Sequence, residues 1–226
     1  MSIVVLAATP LEAALLAGSN ATVVVTGLGA VNTAHALTRQ LMTQPRPSLV
    51  IQTGIAGAYV PAGVAVGSVL LATEEMYGDV GVLTPEGWLP ADAIGIPLVE
   101  ARAGRPPRFN QFPCDPDLVA RAAAIGGVPA AHTGRFVTLA QVTGVRALGD
   151  ALHHRFHALC ESMEGAAAAH VCALYDIPFL EVRGVSNLVE DRDRAAWRIA
   201  EAAAAAQAVV RRLLEQGGVL AGGAAA

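Results

Sequence analysis

Short apolar segments alternate along this chain with longer segments of helical pattern, and glycine or proline marks many of the boundaries between them. We interpret the short segments as buried strands and the longer ones as helices. The predicted strands are Ser2 to Ala8, Ala21 to Thr26, Ser48 to Gln52, Val66 to Met76, a segment within Pro129 to Thr138, Ala158 to Glu161 and Phe179 to Val185. The predicted helices are Pro10 to Ala17, Ala30 to Met42, Asp115 to Ile125, Gln141 to Leu152, Glu164 to Tyr175 and about Asp191 to Glu215. The stretch from Leu98 to Pro116 carries arginines and prolines and is predicted to be an irregular loop.

Strands that alternate with helices predict an α/β domain built in layers, with helices on both faces of a sheet. The sequence shows no internal repeat and no linker, and 226 residues suit one sizeable domain better than two. We therefore predict one domain over residues 1–216. Residues 217–226 are mostly glycine and alanine with little to bury, and they are predicted to form a frayed tail.

The composition favours self-association and argues against a nucleic-acid partner. Hydrophobic residues make up 54% of the chain and charged residues only 15%, so the chain can bury a large interior and still leave apolar surface. This balance favours a homodimer or a higher homo-oligomer. All 15 basic residues are arginines, they form no basic run, and the net charge is −4, which argues against a nucleic-acid partner.

A charge-free run from Pro47 to Thr73 is long enough to cross a membrane, since about 20 residues suffice. Glycine and proline divide this run into short valine-rich pieces, which indicates buried strands and no membrane association. The amino terminus shows no signal-peptide pattern. The three cysteines are odd in number and lack metal-ligand spacing, which predicts a reduced, cytoplasmic setting.

The turn Gly27-Leu28-Gly29 follows a predicted strand and partly matches a dinucleotide-binding motif. The third glycine of that motif is missing, and so is the acid that would bind the ribose about twenty residues later. We therefore predict no nicotinamide cofactor. The histidines show no metal-ligand pattern, so we also predict no metal. Glycine turns such as this one and Thr53 to Gly57 allow a backbone to approach other ligands closely.

Three polar side chains, Glu12, Glu164 and Asn187, lie at the carboxyl ends of predicted strands. In an open α/β sheet these ends meet at one edge, where ligands bind. Each residue also has a purely structural interpretation: Glu12 as a solvated helix residue, Glu164 as a carboxylate favoured by the helix dipole, and Asn187 as a turn residue. Together they form a minimal set for hydrolysing a bond to a sugar, because one carboxylate can act as a base towards water.

Several short motifs follow one another along the chain: Glu12, Thr53-Gly54-Ile55-Ala56-Gly57, Tyr77-Gly78-Asp79, Phe136-Val137, Met163-Glu164 and Ser186-Asn187. In their order and spacing they resemble the nucleoside phosphorylase and nucleosidase superfamily, over nearly the whole chain. Within that superfamily, the stretch Ser186 to Asp193, with Trp197 after it, resembles the futalosine hydrolases.

The resemblance implies a three-layer α/β/α sandwich around a central mixed sheet, and an enzyme that cleaves an N-ribosidic bond. By the same resemblance Glu12 would activate water, and Met163 and Glu164 would hold the ribose. Cleavage builds positive charge on the sugar, so a carboxylate bonded to the ribose hydroxyls would stabilise the transition state more than the ground state. The resemblance assigns the purine to Phe136, Val137 and Asn187.

Four further residues complete the predicted substrate-binding set: Ala56, Gly57, Arg183 and Ser186. Arg183 is predicted to orient Asn187, with a packing or ion-pair role as the alternative. Hydrolysis is favoured over phosphorolysis, because phosphorylases of the superfamily grip phosphate with an arginine near the first glycine-rich turn. The only arginine between Met1 and Gln40 is Arg39, which lies within a predicted helix. Glu12 would in addition repel a phosphate placed beside it.

At Asn187 the chain differs from the adenine-specific nucleosidases of the superfamily, which carry aspartate at this position. A protonated aspartate can give its proton to purine N7, whereas an amide can only donate a hydrogen bond. A 6-oxopurine can spread its departing negative charge onto O6, where a fixed donor suffices. Asparagine therefore points to hypoxanthine and to futalosine, although an amide can also pair with adenine.

The resemblance implies a substrate that carries a carboxylate, which needs a cationic partner. Arg102, Arg105 and Arg108, with Phe109 and Phe112 nearby, are the predicted partners, and a solvated loop is the alternative. Two other functions stay open. One is an adenine nucleosidase acting on methylthioadenosine, S-adenosylhomocysteine or aminodeoxyfutalosine, and the other is a non-catalytic protein that binds purine nucleosides.

Overall fold

Strands and helices alternate through residues 2–102 and 104–220, the part of the chain that the computed structural model describes. The strands are β1 Ile3–Ala7, β2 Thr22–Val25, β3 Leu49–Tyr59, β4 Val69–Tyr77, β5 Gly81–Thr84, β6 Gly87–Pro90, β7 Gln111–Pro113, β8 Thr133–Thr138, β9 Ala158–Ser162 and β10 Phe179–Val189. The helices are α1 Pro10–Ala13, α2 Ala30–Thr43, α3 Pro116–Gly126, α4 Arg146–Phe156, α5 Gly165–Leu174, α6 Ile199–Glu215 and α7 Gly217–Leu220.

Eight of the strands form one mixed sheet in the order β10-β4-β8-β9-β3-β1-β2, with β7 added beside β4. Pairing is parallel between β1, β2 and β3, and antiparallel where β9 meets β3 and where β10 meets β4. Strand β10 also pairs in parallel with β3. Five strands, β10, β4, β8, β9 and β3, therefore close into a ring, and β1 and β2 extend from it.

Helices cover both faces of this sheet. Helix α5 packs on α2 and on β4 and β8, whereas α6 packs on β10 and β3 together with α1 and α3. The buried side of α6 follows helical spacing, because Ala202, Ala206, Val210 and Leu213 recur every three or four residues. The predicted layered α/β/α arrangement around a mixed sheet is confirmed.

Two strands are longer than predicted. The prediction ended them at Gln52 and Val185, but β3 continues to Tyr59 and β10 continues to Val189. The physical reason is their pairing with each other, which carries the glycine-rich segment of β3 through the sheet. A register shift between Val185 and Asn187 makes Ser186 an extra residue in β10, which is a β-bulge.

Other differences lie in short elements. The hairpin of β5 and β6 was not predicted, since its strands have only four residues each, and β7 lies within the predicted loop. The last helix begins at Ile199, after a short 3-10 turn over Arg194–Ala196. The predicted frayed tail is wrong for Gly217–Leu220, which is helical, and residues 221–226 lie outside the described part of the chain.

Within residues 2–102 and 104–220, every helix falls short of the length and apolar content that a membrane crossing requires.

Candidate active site

Glu12 lies on α1, the short helix that follows β1. Thr9 is the N-cap of α1, Pro10 follows it, and Glu12 comes three residues after the cap, which is the spacing of a capping box. The Glu12 side chain is 5% exposed. Its Oε2 accepts a hydrogen bond from Thr9 Oγ1 at 2.7 Å, and its Oε1 accepts one from the backbone N–H of Ile55 at 2.9 Å. Glu12 is therefore a fixed, buried carboxylate, contrary to its interpretation as a solvated helix residue.

Gly54 makes room for this carboxylate. A Cβ atom at position 54 would lie 2.5 Å from Glu12 Oε1 and 2.7 Å from Arg183 Nη1. Both approaches are closer than real Cβ atoms make, so any side chain here would force Glu12 and Arg183 to move. The glycine of this motif thus allows a carboxylate and a guanidinium to lie against the same point of the backbone.

Glu164 lies between β9 and α5, at the N-cap position of the helix, as predicted. The side chain is 3% exposed. Its Oε1 accepts a hydrogen bond from the backbone N–H of Gly29 at 2.9 Å, and its Oε2 accepts one from Arg183 Nη2 at 3.2 Å. Gly29, which has a φ of +89°, belongs to the turn that partly matches a dinucleotide motif. The sequence analysis did not predict that this turn holds the second carboxylate.

Arg183 bonds directly to Glu164 and is linked to Glu12 through the backbone of Ile55. Its Nη2 bonds to Glu164, its Nη1 donates to the carbonyl of Ile55 at 3.1 Å, and its Nε donates to Glu181 Oε1 at 2.7 Å. Burial alone would lower the pKa of Arg183, but Glu181, Glu164 and Glu12 raise it far above its usual range. The predicted role of orienting Asn187 is wrong, because these bonds commit the guanidinium to the carboxylates. The alternative, an ion-pair residue, is what the structure shows.

Asn187 lies beside Gly57 at the bulge of β10. Ser186 Oγ donates to Asn187 Oδ1 at 2.8 Å and also lies 3.2 Å from the carbonyl of Ala56. Asn187 Nδ2 donates to the carbonyl of Leu188 at 2.9 Å. An amide nitrogen carries two hydrogens, so one is available to a ligand. The structure thus brings together the predicted residues Ala56, Gly57, Ser186 and Asn187.

Phe136 and Val137 do not line this site. Both side chains have no exposed surface, because β8 runs between β4 and β9 in the hydrophobic core. Their predicted side-chain contact with a purine is therefore wrong. The next loop reaches the sheet edge instead: Val142 is 40% exposed, and the N–H of Thr143 donates to Glu161 Oε1 at 2.6 Å. Strand pairing places Glu161 and Asn187 on opposite sides of Gly57.

Met163 precedes Glu164 and is partly exposed, as a residue that meets a ligand should be. The loop arginines are elsewhere. Arg102 Nη1 donates to the carbonyl of Leu174 at 3.0 Å, and Arg105 pairs with Asp176. Both partners lie at the carboxyl end of α5, and Glu164 lies at its amino end. Within one chain, the prediction that these arginines meet the substrate is wrong.

Arg108 joins Arg102 and Arg105 in lining a separate cavity of about 520 Å³. Phe112 also lines this cavity. The three arginines therefore form part of a different surface from the carboxylate site.

Comparison with known proteins agrees with this fold. The profile of the phosphorylase superfamily matches residues 3–215. A futalosine hydrolase of Thermus thermophilus is 39% identical over 194 residues, which are 85% of this chain and 81% of that protein. A 5'-methylthioadenosine/S-adenosylhomocysteine nucleosidase of Mycobacterium bovis is 30% identical over 207 residues, with 83% and 78% of the two chains covered.

Among solved structures, the S-adenosylhomocysteine nucleosidase of Streptococcus pyogenes in complex with 5-methylthiotubericidin superposes with a TM-score of 0.79. It is 24% identical, and the match covers 96% of this chain and 97% of that one. The layered sheet with its buried carboxylates is thus the nucleoside phosphorylase-like fold. The chain belongs to the phosphorylase superfamily and, within it, to the futalosine hydrolases.

Proposed function

We propose that this protein hydrolyses the N-ribosidic bond of futalosine and releases hypoxanthine and dehypoxanthine futalosine. The observation that carries the proposal is the linked pair of buried carboxylates. Glu12 accepts from the N–H of Ile55, Arg183 donates to the carbonyl of Ile55, and Arg183 also holds Glu164. One rigid unit therefore presents a base and a charge-stabilising group together.

The two carboxylates have different tasks in this proposal. Glu12 takes a proton from water as the water attacks the anomeric carbon. Glu164 bonds to the ribose hydroxyls and stabilises the positive charge that develops on the sugar. Since Thr9 and the Ile55 N–H fix Glu12, and Gly29 and Arg183 fix Glu164, neither has to reorganise as the charge develops.

Water is favoured over phosphate as the nucleophile for a reason that lies in Arg183. A phosphorylase grips phosphate with a cation whose charge and donors are available to the anion. Three of the five N–H groups of Arg183 already donate to protein oxygens, and its charge is shared with the carboxylates of Glu181 and Glu164. Glu12 would in addition repel an anion placed beside it.

At the other end of the site, Asn187 is proposed to stabilise the departing base. The bulge turns its amide beside Gly57, and Ser186 fixes the Oδ1 side. The remaining Nδ2 hydrogen can then bond to O6 of a 6-oxopurine as negative charge builds there. The loop that carries Val142 and Thr143 is proposed to flank the base in place of Phe136 and Val137.

The carboxylate of the substrate needs a cation other than the loop arginines. Arg192 offers one beside the site: its guanidinium carbon lies 4.9 Å from the centre of the Trp197 ring. Its backbone N–H donates to Gly144, and the N–H of Arg198 donates to the carbonyl of Ser186. An arginine stacked on an aromatic ring suits a substrate end that is both aromatic and anionic.

The Arg192→Ala variant should therefore raise KM for futalosine about tenfold, as expected for the loss of one charge-assisted hydrogen bond. Inosine has no such carboxylate, and its KM should not change. Steady-state kinetics with both substrates test this, and an equal effect on both would remove Arg192 from the proposal.

The central experiment incubates the protein with futalosine, inosine and methylthioadenosine, with and without phosphate, and identifies the released base and sugar. We expect hypoxanthine from futalosine in phosphate-free buffer. Adenine from methylthioadenosine as the main product would favour an adenine nucleosidase. The similarity to the methylthioadenosine nucleosidase of M. bovis is the reason to test this alternative. Release of no base from any nucleoside would favour a binding protein and overturn the proposal.

We also propose a homodimer or a higher homo-oligomer, located in the cytoplasm. Large apolar side chains are exposed on several elements, among them Leu28, Val31, Leu83 and Leu148. The three cysteines are free and buried, which suits a reducing compartment. Light scattering coupled to size-exclusion chromatography tests the first part, and a monomer would contradict it.

A further inference from the structure

A second pair of glutamates lies beneath the proposed active site. Glu75 on β4 and Glu181 on β10 are both 0% exposed. Both meet at Gly165, the first residue of α5, where a Cβ atom would collide with Glu75 Oε1 and Glu181 Oε2. The absence of a side chain at position 165 therefore lets two carboxyl oxygens face each other under Glu164.

In each glutamate of this inner pair, one carboxyl oxygen accepts hydrogen bonds and the other does not. Glu75 Oε2 accepts from the N–H of Met76 at 3.1 Å and from Thr138 Oγ1 at 2.9 Å. Glu181 Oε1 accepts from Arg183 Nε at 2.7 Å. Among the described residues, Glu75 Oε1 and Glu181 Oε2 have no donor. Two buried carboxylates in this position repel each other, and a single proton between them satisfies both oxygens.

The neighbours decide which glutamate carries that proton. Glu181 bonds directly to the cation of Arg183, which stabilises its anion. The donors to Glu75 are neutral, a backbone N–H and a hydroxyl. In agreement, burial and then the neighbouring Glu181 raise the pKa of Glu75 well above its ordinary value.

Other titratable groups that face the inner pair leave this assignment unchanged. They come from β3, β4, β9, β10 and the segment before α3, and they are Tyr59, Tyr77, Cys160, Arg183 and Cys114. Burial raises the pKa of each of these tyrosines and cysteines, so they are neutral at neutral pH, and Arg183 supplies the charge.

We propose that Glu75 and Glu181 share one proton, carried on Glu75 Oε1, and that the pair acts as a positioning device for Arg183. The proton keeps Glu181 ionised and directed at Nε. Because a guanidinium is planar, fixing Nε also fixes the directions of Nη1 and Nη2, which bond to the Ile55 carbonyl and to Glu164. The pair touches no substrate and acts through Arg183 on the two catalytic carboxylates.

The functional part of this inference rests on the proposed nucleosidase activity, but the shared proton does not. Infrared spectra of the wild-type protein in deuterated buffer at neutral pH test the proton directly. We expect the band of a buried protonated carboxylic acid, its loss in Glu75→Gln and its retention in Glu74→Gln. Glu74 is the matched control, because it is adjacent on β4 but pairs with Arg135 at 2.9 Å. A wild-type spectrum without this band overturns the shared proton whatever the protein cleaves.

The positioning role is tested by kinetics on the nucleoside that the wild-type protein cleaves. Glu75→Gln keeps a donor towards Glu181, so kcat should stay within about twofold of the wild type. Glu75→Leu removes that donor, and Glu181→Gln removes the anion, so each should lower kcat roughly 10- to 100-fold with little change in KM.

A purely structural pair would give a different pattern: all three variants would lower stability and leave the kcat of the folded fraction unchanged. That result would overturn the positioning role, and so would a Glu75→Gln variant as slow as Glu75→Leu. If Glu75→Leu does not fold, the contrast between Glu75→Gln and Glu181→Gln still decides. Both are close in shape to the native side chain, and equal kcat values for the two would contradict the proposal.

Discussion

The outer glutamates, Glu12 and Glu164, and the inner glutamates, Glu75 and Glu181, are all buried but differ in their hydrogen-bond donors. Each oxygen of the outer pair accepts a hydrogen bond from a backbone N–H, a hydroxyl or Arg183. The inner pair has two oxygens without a donor among the described residues. Burial is common to all four of these glutamates, so it does not distinguish the two pairs. The supply of donors does, because donors stabilise the anion and their absence favours a proton.

The largest effect should come from the outer pair. In the proposed mechanism, changing Glu12 or Glu164 to glutamine removes a negative charge at the point where water is activated or where positive charge develops on the sugar. We expect kcat for futalosine to fall by roughly a thousandfold or more in each variant, since each charge acts mainly in the transition state. Circular dichroism should show an unchanged fold, and Glu74→Gln is the control. A variant that keeps full activity would remove that glutamate from the mechanism.

A smaller loss is expected when the outer pair is disturbed without being removed. Gly54→Ala places a methyl group 2.5 Å from Glu12 Oε1 and 2.7 Å from Arg183 Nη1, so both groups must shift. We expect kcat to fall about 100-fold, as for a misplacement of about 1 Å in a catalytic group. Gly217→Ala is the control, because its Cβ would meet Ile3 at an ordinary 3.5 Å. Equal kcat values for the two variants would show that Glu12 tolerates movement.

The inner pair predicts a pH effect on stability. The pKa of Glu75 is raised above its ordinary value of 4.5, first by burial and then by Glu181. Between the unfolded and the folded pKa, the folded protein holds one proton more than the unfolded chain. Its free energy of unfolding therefore falls as pH rises, by up to about 1.4 kcal/mol per pH unit.

Glu75→Gln lacks this proton, so its free energy of unfolding minus that of the wild type should grow with pH above 4.5. Urea denaturation at fixed protein concentration measures the difference. Parallel curves for the two proteins would mean that Glu75 does not hold a proton in the folded state.

The smallest effect is expected from Asn187→Asp, which introduces a carboxyl group at the proposed base-binding end of the site. In Asn187→Asp, the oxygen that replaces Nδ2 would face the carbonyl of Leu188, so a proton on this oxygen should be favoured as in the inner pair. When a purine binds, this hydroxyl can turn from the carbonyl to N7 and donate its proton there, which leaves the aspartate as an anion. We expect kcat/KM for methylthioadenosine to rise about tenfold, at the low end for a general acid because the site is not adapted to adenine. Competing futalosine and methylthioadenosine assays measure it, and an unchanged ratio would refute leaving-group protonation as the selector.

Local sequence signals predicted much of the fold. They also predicted the outer pair of glutamates, but not the inner pair. Thr9, Pro10 and Glu12 form a helix-start pattern that can be read without a structure, and the end of β9 placed Glu164 at the start of α5. The inner pair was invisible, because Glu75 and Glu181 each lie within an apolar strand. They become neighbours only through the pairing of β4 with β10.

The wrong predictions for Phe136, Val137 and Arg183 have the same origin, because they too depend on how the strands pair. Phe136 and Val137 were assigned by resemblance, but strand pairing on both sides of β8 encloses them in the core. Arg183 was placed correctly on a strand, yet its partners come from β3, from the residue before α5 and from its own strand. Side-chain partners that are distant in sequence depend on strand order and register, which hydrophobic patterning alone does not specify.

Strand β10 has ladder partners on both of its edges, β3 on one side and β4 on the other. Its amide hydrogens near Arg183 can then exchange with solvent only when the ring of strands opens, which requires a large part of the molecule to unfold. Arg183, which bonds to Glu164, therefore lies on a strand whose amide hydrogens we expect to be among the slowest to exchange in the protein.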